Sequence, residues 1–284
     1  MDSKENSSAA YDHIKDIIAD AVDDIDNRCK SSYENDEQNI FQVFQNLKFH
    51  NGDLVVLASR CWGTNFALHI INRIAVEKNI PTGYLNCGTS DYAYISQKLL
   101  SINSGVSMHK MKTGAMDVKD CESIGEAGKN IFSSPLFICN ESNMAFAELE
   151  FSARKMVEEQ SVKLIIIDSL EYILEVADAE EDMYRYELQK VVESLKAMAK
   201  ELNVPIIILA DIPDDGNLSY PVLTDFRKYA FIPNTADMVL FLCRTQYAKN
   251  PREEFKLITA KNNHGPCGDI NLKFDSRNSM FIFD

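Results

Sequence analysis

Ser59-Arg60-Cys61-Trp62-Gly63-Thr64-Asn65 stands between a short apolar run, "DLVVLA" at 53–58, and the helically spaced segment "FALHIINRIAVEK". A buried strand, a glycine turn and a helix in that order make a phosphate-cradling loop when the turn closes on Gly-Lys-Ser/Thr. Successive backbone N–H groups then curl around the phosphates, the lysine fixes the β- and γ-oxygens, and the hydroxyl holds magnesium. Here Gly63 is followed by Thr64 and Asn65, and the lysine is missing. A second chemistry-bearing position is Asp168, which ends the apolar run "KLIIID". A carboxylate there can hold magnesium. The signal is weak alone, because many parallel strands end in Asp where the sheet edge meets solvent. Together with the strand, turn and helix at 53–75, it points to a nucleotide-binding architecture.

Those residues need a sheet to position them. Short Ile/Val/Leu runs, "DLVVLA", "TGYLNC", "KLIIID", "VPIIILA" and "DMVLFLC", alternate with amphipathic helices such as "AFAELEFSARKMVEEQ" and "YELQKVVESLKAMAKEL". Continuous apolar strands between helices imply a mainly parallel sheet covered on both faces. The end of the chain changes character. "FKLITAKNN", "GDINLKF" and "SMFIFD" read as strands joined by turns, a β-hairpin region that finishes the sheet. Before residue 39 the pattern differs. Residues 1–8 are polar and read as disordered. Ile14, Ile17, Ile18, Ala21, Val22 and Ile25 then form one apolar helical stripe opposite Asp16, Asp20, Asp23 and Asp24, followed by the polar linker "CKSSYENDEQN". This predicts an acidic helical arm over 1–38 and an α/β domain over 39–284.

Composition narrows the function classes. A net charge of −14 over 284 residues repels nucleic acid unless the basic residues are clustered. No apolar run approaches the roughly 20 residues that span a bilayer, and the polar, acidic N-terminus is neither a signal nor a transit peptide. Seven scattered cysteines without a CxxC pair fit a reduced, cytoplasmic chain with no structural zinc. The five histidines show no metal-ligand spacing, and His264, beside Gly265-Pro266, reads as an exposed turn residue.

From about residue 50 to residue 284 the chain resembles the C-terminal motor domain of DnaB-type replicative helicases, a RecA-like P-loop ATPase fold. The matching stretches include "GDLVVLASR", "SGVSMHKMKTG", "LIIIDSLEYI", "ESLKAMAKELNVPIIILA", "PVLTDFRK", "TADMVLFLCR" and "AKNNHGPCGDINLKF". The resemblance implies an ATP-driven, ring-shaped DNA helicase that uses Mg-ATP. It also puts the N-terminal helix where the family has a linker helix that docks on the adjacent subunit. Self-association, or binding to a helicase or other replication protein, is therefore expected through that helix.

The sequence departs from the family where the chemistry lies. Aligned on Arg60 and "FAL", the phosphate loop is two residues short, with Thr64 in the lysine position and Asn65 in the hydroxyl position. The catalytic Glu after the second strand is absent between Tyr84 and Ser90, and Asp91 lies at least one position off. Lys261 is kept, but Asn263 takes the place of the family's trans-acting Arg finger, and Asn cannot neutralise developing phosphate charge. Asp211 replaces the sensor Gln. The loop "DIPDDGNLSY" carries three Asp and no Lys or Arg where the family is basic, which argues against DNA binding.

Arg60, Gly63, Thr64, Asn65 and Asp168 therefore read as vestigial nucleotide-binding residues, with Asp168 a metal ligand only if Mg-ATP binds. For Asp168 a solvated strand end is the favoured reading. Arg60 contacts an anion or pairs with an acid. Trp62 is expected to plug the emptied phosphate pocket, with ligand stacking as the alternative. Two functions follow. One is a non-catalytic interaction or assembly subunit with no cofactor. The other is a divergent but active ATP-dependent helicase, in which Lys261 or Arg60 takes over from the loop lysine.

Overall fold

A computed structural model describes residues 48–60, 62–88, 90–177, 181–212, 220–229, 231–245, 254–275, 277–278 and 280–283. The predicted helical arm over 1–38 and the acidic loop segment 213–219 lie outside these residues. The described residues carry nine strands in one sheet, ordered β3-β2-β4-β5-β1-β6-β7-β8-β9.

The central strands are β1 (Leu54–Ser59), β2 (Thr82–Asn86), β4 (Leu164–Asp168), β5 (Ile206–Asp211) and β6 (Met238–Arg244), with β3 (Leu136–Asn140) at one edge. All six pair in parallel. The apolar runs of the sequence end up as central strands because both faces of a parallel sheet are covered by helices. β3 is the strand that the sequence did not announce; its residues are only half-buried, and the sheet there has a neighbour on one side alone. The antiparallel end is made by β7 (Glu254–Asn262), β8 (Gly268–Asp275) and β9 (Met280–Phe283).

The helices follow in chain order. They are α1 (Gly63–Ile71), continued by a π-helical turn over Asn72–Glu77, α2 (Tyr92–Ser104), α3 (Met108–Thr113), α4 (Val118–Ser133), α5 (Phe146–Gln160), α6 (Leu174–Ala177), α7 (Glu181–Leu202) and α8 (Phe231–Thr235). On one sheet face the alternation of period two is visible. Leu54, Val56 and Ala58 of β1, Ile165 and Ile167 of β4, and Ile206, Ile208 and Ala210 of β5 form one core with Leu149 and Ala153 of α5 and Val192 and Leu195 of α7.

A second, aromatic cluster joins the antiparallel end to the loop after β1. Phe281 meets Phe66 of α1 edge-on, with ring centroids 5.1 Å apart, and packs on Phe255 and Phe274 at 5.3 and 4.9 Å. The same two phenylalanines hold the edges of Trp62. The hairpin region thereby fixes where α1 begins.

Candidate nucleotide-side pocket

In a parallel α/β sheet, ligands sit outside the carboxyl ends of the strands. The ends of β1, β2, β4 and β5 enclose a cavity of about 260 Å³ there, lined by residues that include Ser59, Thr64, Asn65, Asn86, Asp168 and Asp211. Gly63 opens α1 because the backbone passes close to its neighbours: a Cβ would stand 3.0 Å from the Ser59 hydroxyl and 3.3 Å from the Leu209 side chain. Trp62 caps the helix in the left-handed conformation (φ 86°) and makes no side-chain cap hydrogen bond.

Asp168 is the chemical centre of this cavity. It is 6% exposed, not the solvated strand end expected from sequence. The Tyr84 hydroxyl donates to its Oδ2 at 2.7 Å, and the Thr64 side chain also bonds to it. Burial pushes the carboxyl above its ordinary range, against those two hydrogen bonds, and the Asp211 carboxylate adds to the rise. Burial raises Asp211 as well. Beside them Glu171 accepts from the Asp211 N–H at 2.8 Å and from the Ser169 hydroxyl at 2.9 Å. Burial lifts its carboxyl to about 7. Three carboxylates thus gather at one end of the sheet, and among the described residues no lysine or arginine lines the cavity.

The cavity stays open, so Trp62 is not the expected plug. Trp62 is one of the residues lining the cavity, and its ring packs in the aromatic cluster, 4.6 Å from Phe274 and 5.8 Å from Phe255, with the Arg244 guanidinium 5.4 Å from the ring centroid. Gly63, Thr64 and Asn65 do line the cavity, whereas Arg60 does not. Arg60 lies near Cys243, where its charge acts to lower that thiol against a larger rise from burial.

Lys261 cannot replace the missing lysine within its own subunit. Its ammonium donates to the Pro233 and Ala236 carbonyls at 2.8 and 2.6 Å, and it pairs in register with Val239, near the start of β6. That is the edge where the parallel strands begin, opposite the strand ends that carry Asp168. Asn263 lies at the same far edge, its backbone N–H bonded to the Asp237 carbonyl. Asp91 is the N-cap of α2, accepting from the Tyr94 N–H at 2.7 Å. His264 is exposed as expected but not idle, because its Nε2 lies 2.8 Å from Asp53 Oδ1.

Sequence reasoning missed Tyr84, Asn86 and Glu171. Tyr84 looked like any apolar strand residue, and only the register that sets it beside Ile166 brings its hydroxyl to Asp168. Asn86 is the last residue of β2, and its amide donates to the Ser90 carbonyl at 2.6 Å. Glu171 had one available signal: an acid three residues after a strand-ending Asp.

Known proteins share both the sequence pattern and this architecture. Residues 39–282 match the family model described as "DnaB-like helicase C terminal domain". The replicative DNA helicase DnaB of Treponema pallidum is 29% identical over 281 residues, covering 96% of this chain and 62% of that protein. The replicative DNA helicase DnaB of Leifsonia xyli is 30% identical, covering 82% and 52%. The chain therefore spans a little more than half the length of these relatives. Among solved structures, an isolated ATPase domain superposes with a TM-score of 0.80 at 19% identity, covering 93% of this chain and 98% of that one. A DnaB-like replicative helicase described with its interactions with primase superposes at 0.76 and 20% identity, covering 90% and 66%. These structural likenesses show the shared RecA-like fold.

Proposed function

This chain belongs to the DnaB-like helicase C-terminal domain family, and from that premise we propose that it serves as a non-catalytic interaction or assembly subunit. One observation carries the reading. The cavity where a nucleotide's phosphates would lie is lined by Asp168 and Asp211 and, among the described residues, by no lysine or arginine. A triphosphate needs fixed positive charge and convergent N–H donors. Here it would meet the buried Asp168, the exposed Asp211 and a loop shortened by two residues, whose helix start is dictated by Trp62. The residues present do not fit Mg-ATP.

The retained fold then supplies surfaces instead of turnover. Self-association, or binding to a helicase or another replication protein through the acidic segment 1–38, which the sequence pattern predicts to be helical, is the activity assigned to it. Calorimetric titration of the purified chain with Mg-ATP, beside a hydrolysis assay with single-stranded DNA, tests the reading. Silence in both is expected. Micromolar binding with DNA-stimulated turnover would overturn it. The arm has its own test: removal of residues 1–38 lowers the number of subunits per particle measured by light scattering, and an unchanged number removes the arm from the proposal.

The competing reading is a divergent but active ATP-dependent helicase with rearranged ligands. It draws on one observation, the side-chain hydrogen bond between Thr64 and Asp168. It still requires a cation from outside the cavity, and Lys261 of the same subunit is at the far edge. The same titration separates the two.

A further inference from the structure

At the opposite edge of the sheet, three residues distant in sequence converge. Asp53 precedes β1, Asp237 precedes β6, and His264 lies in the turn after β7. One ligand atom from each lies within 4.8 Å of the other two. We propose that Asp53, Asp237 and His264 form a binding site for a divalent transition-metal ion of the Zn²⁺ class. The spacing of histidines along the chain did not show it, because the fold alone assembles the set.

The hydrogen bonds around the cluster divide the carboxylate oxygens into two kinds. Asp53 Oδ2 accepts from the His50 N–H at 2.9 Å. Asp237 Oδ2 accepts from the Leu54 N–H at 2.8 Å and from the Lys196 ammonium, which also donates to the Gly52 carbonyl. These partners pin each carboxylate from behind, as outer partners do at metal centres. The remaining oxygens face the turn. Asp53 Oδ1 meets His264 Nε2 at 2.8 Å, and Asp237 Oδ1 makes only a long 3.3 Å contact with the Asn263 amide. The Lys196 ammonium pairs with Asp237, whereas Asp53 meets the His264 ring.

Two oxygens and one imidazole nitrogen suit Zn²⁺, with bonds of about 2.0–2.2 Å and water in the fourth place. In a tetrahedral site such bonds put neighbouring ligand atoms about 3.3 Å apart. The Asp53–His264 contact would therefore open by roughly half an ångström on metal entry. His264 is placed to give way, because its side chain is 30% exposed while that of Asp53 is 4% exposed. The ion would clamp the turn that carries Asn263 to the starts of β1 and β6. This site is independent of the nucleotide-side pocket.

The test uses untagged, chelator-stripped full chain titrated with Zn²⁺, with Co²⁺ as the coloured substitute. Expected are one ion per chain, Co²⁺ visible absorption, and an X-ray absorption shell of nitrogen and oxygen at about 2.0–2.1 Å. His264→Gln should weaken binding at least tenfold, on the order of what loss of even an outer partner costs. Asn263→Ala should leave the ligand set intact. A sulfur shell at about 2.3 Å would place the metal on the cysteines and overturn the proposal. So would an absence of binding, or equal affinity in His264→Gln. Should that variant fail to fold, the absorption shell of the unaltered chain decides alone.

Discussion

Replacing Trp62 tests whether the aromatic cluster, and not a ligand, sets the start of α1. The structure gives two opposing effects. The ring makes edge contacts with Phe274 and Phe255 at 4.6 and 5.8 Å, and Arg244 lies over it at 5.4 Å. Aromatic pairs contribute about 0.5–1.5 kcal/mol each and an exposed cation–π contact about 0.5–1. Trp62→Ala should therefore cost between roughly 1.5 and 4 kcal/mol. The second effect concerns the backbone. At φ 86° a residue with a Cβ is strained by about 1–2 kcal/mol, and glycine is not. Trp62→Gly should thus be more stable than Trp62→Ala by about 1 kcal/mol, the reverse of the usual order in regular structure. Urea unfolding followed by far-UV circular dichroism measures both. Fluorescence cannot serve, because Trp62 is the only tryptophan. An alanine variant as stable as the glycine variant would refute the backbone argument. Two variants as stable as the parent would show that the cluster does not hold the loop.

The pocket and the far edge give further expectations. Thr64→Lys restores the residue type of the phosphate loop but not its length, and calorimetry should still detect no Mg-ATP binding. Tyr84→Phe removes the donor to buried Asp168 and should cost about 1–3 kcal/mol in urea unfolding at neutral pH. Lys196→Met leaves Asp237, in a pair whose side chains are only 16% and 14% exposed, without its cation. A loss of roughly 2–3 kcal/mol is expected, less than for a fully buried pair. Glu171 carries a pH signature: its folded-state value near 7 stands above the ordinary 4.5, so the folded chain holds a proton that the unfolded chain releases. Its effect on stability is to lower it as pH rises from about 4.5 to 7. His69, lowered to about 4 by burial, acts in the opposite sense below 6.5, so the parent must be compared with Glu171→Gln. The parent should lose stability relative to that variant across the window, and parallel profiles would refute the assignment.

The sequence by itself determined the layered α/β architecture, because runs such as "KLIIID" and "VPIIILA" can only be covered strands, and amphipathic helices of matching length separate them. It placed Gly63, Thr64, Asn65 and Asp168 around one cavity, since strand ends of a parallel sheet share an edge. It also specified what that cavity lacks, because residue type alone removes the lysine. What it could not decide depends on register and on contacts between residues far apart in the chain. Whether Asp168 is solvated turned on Tyr84, 84 positions away and one strand over. The direction of the Trp62 ring turned on Phe255 and Phe274 in strands that join the sheet last. The meeting of Asp53, Asp237 and His264 turned on β1 and β6 starting at the same sheet edge while the β7–β8 turn folds back to it. Local pattern fixes which residues are buried. Only the packed sheet decides which buried or half-buried groups face one another, and the pKa values and any metal chemistry follow from that meeting.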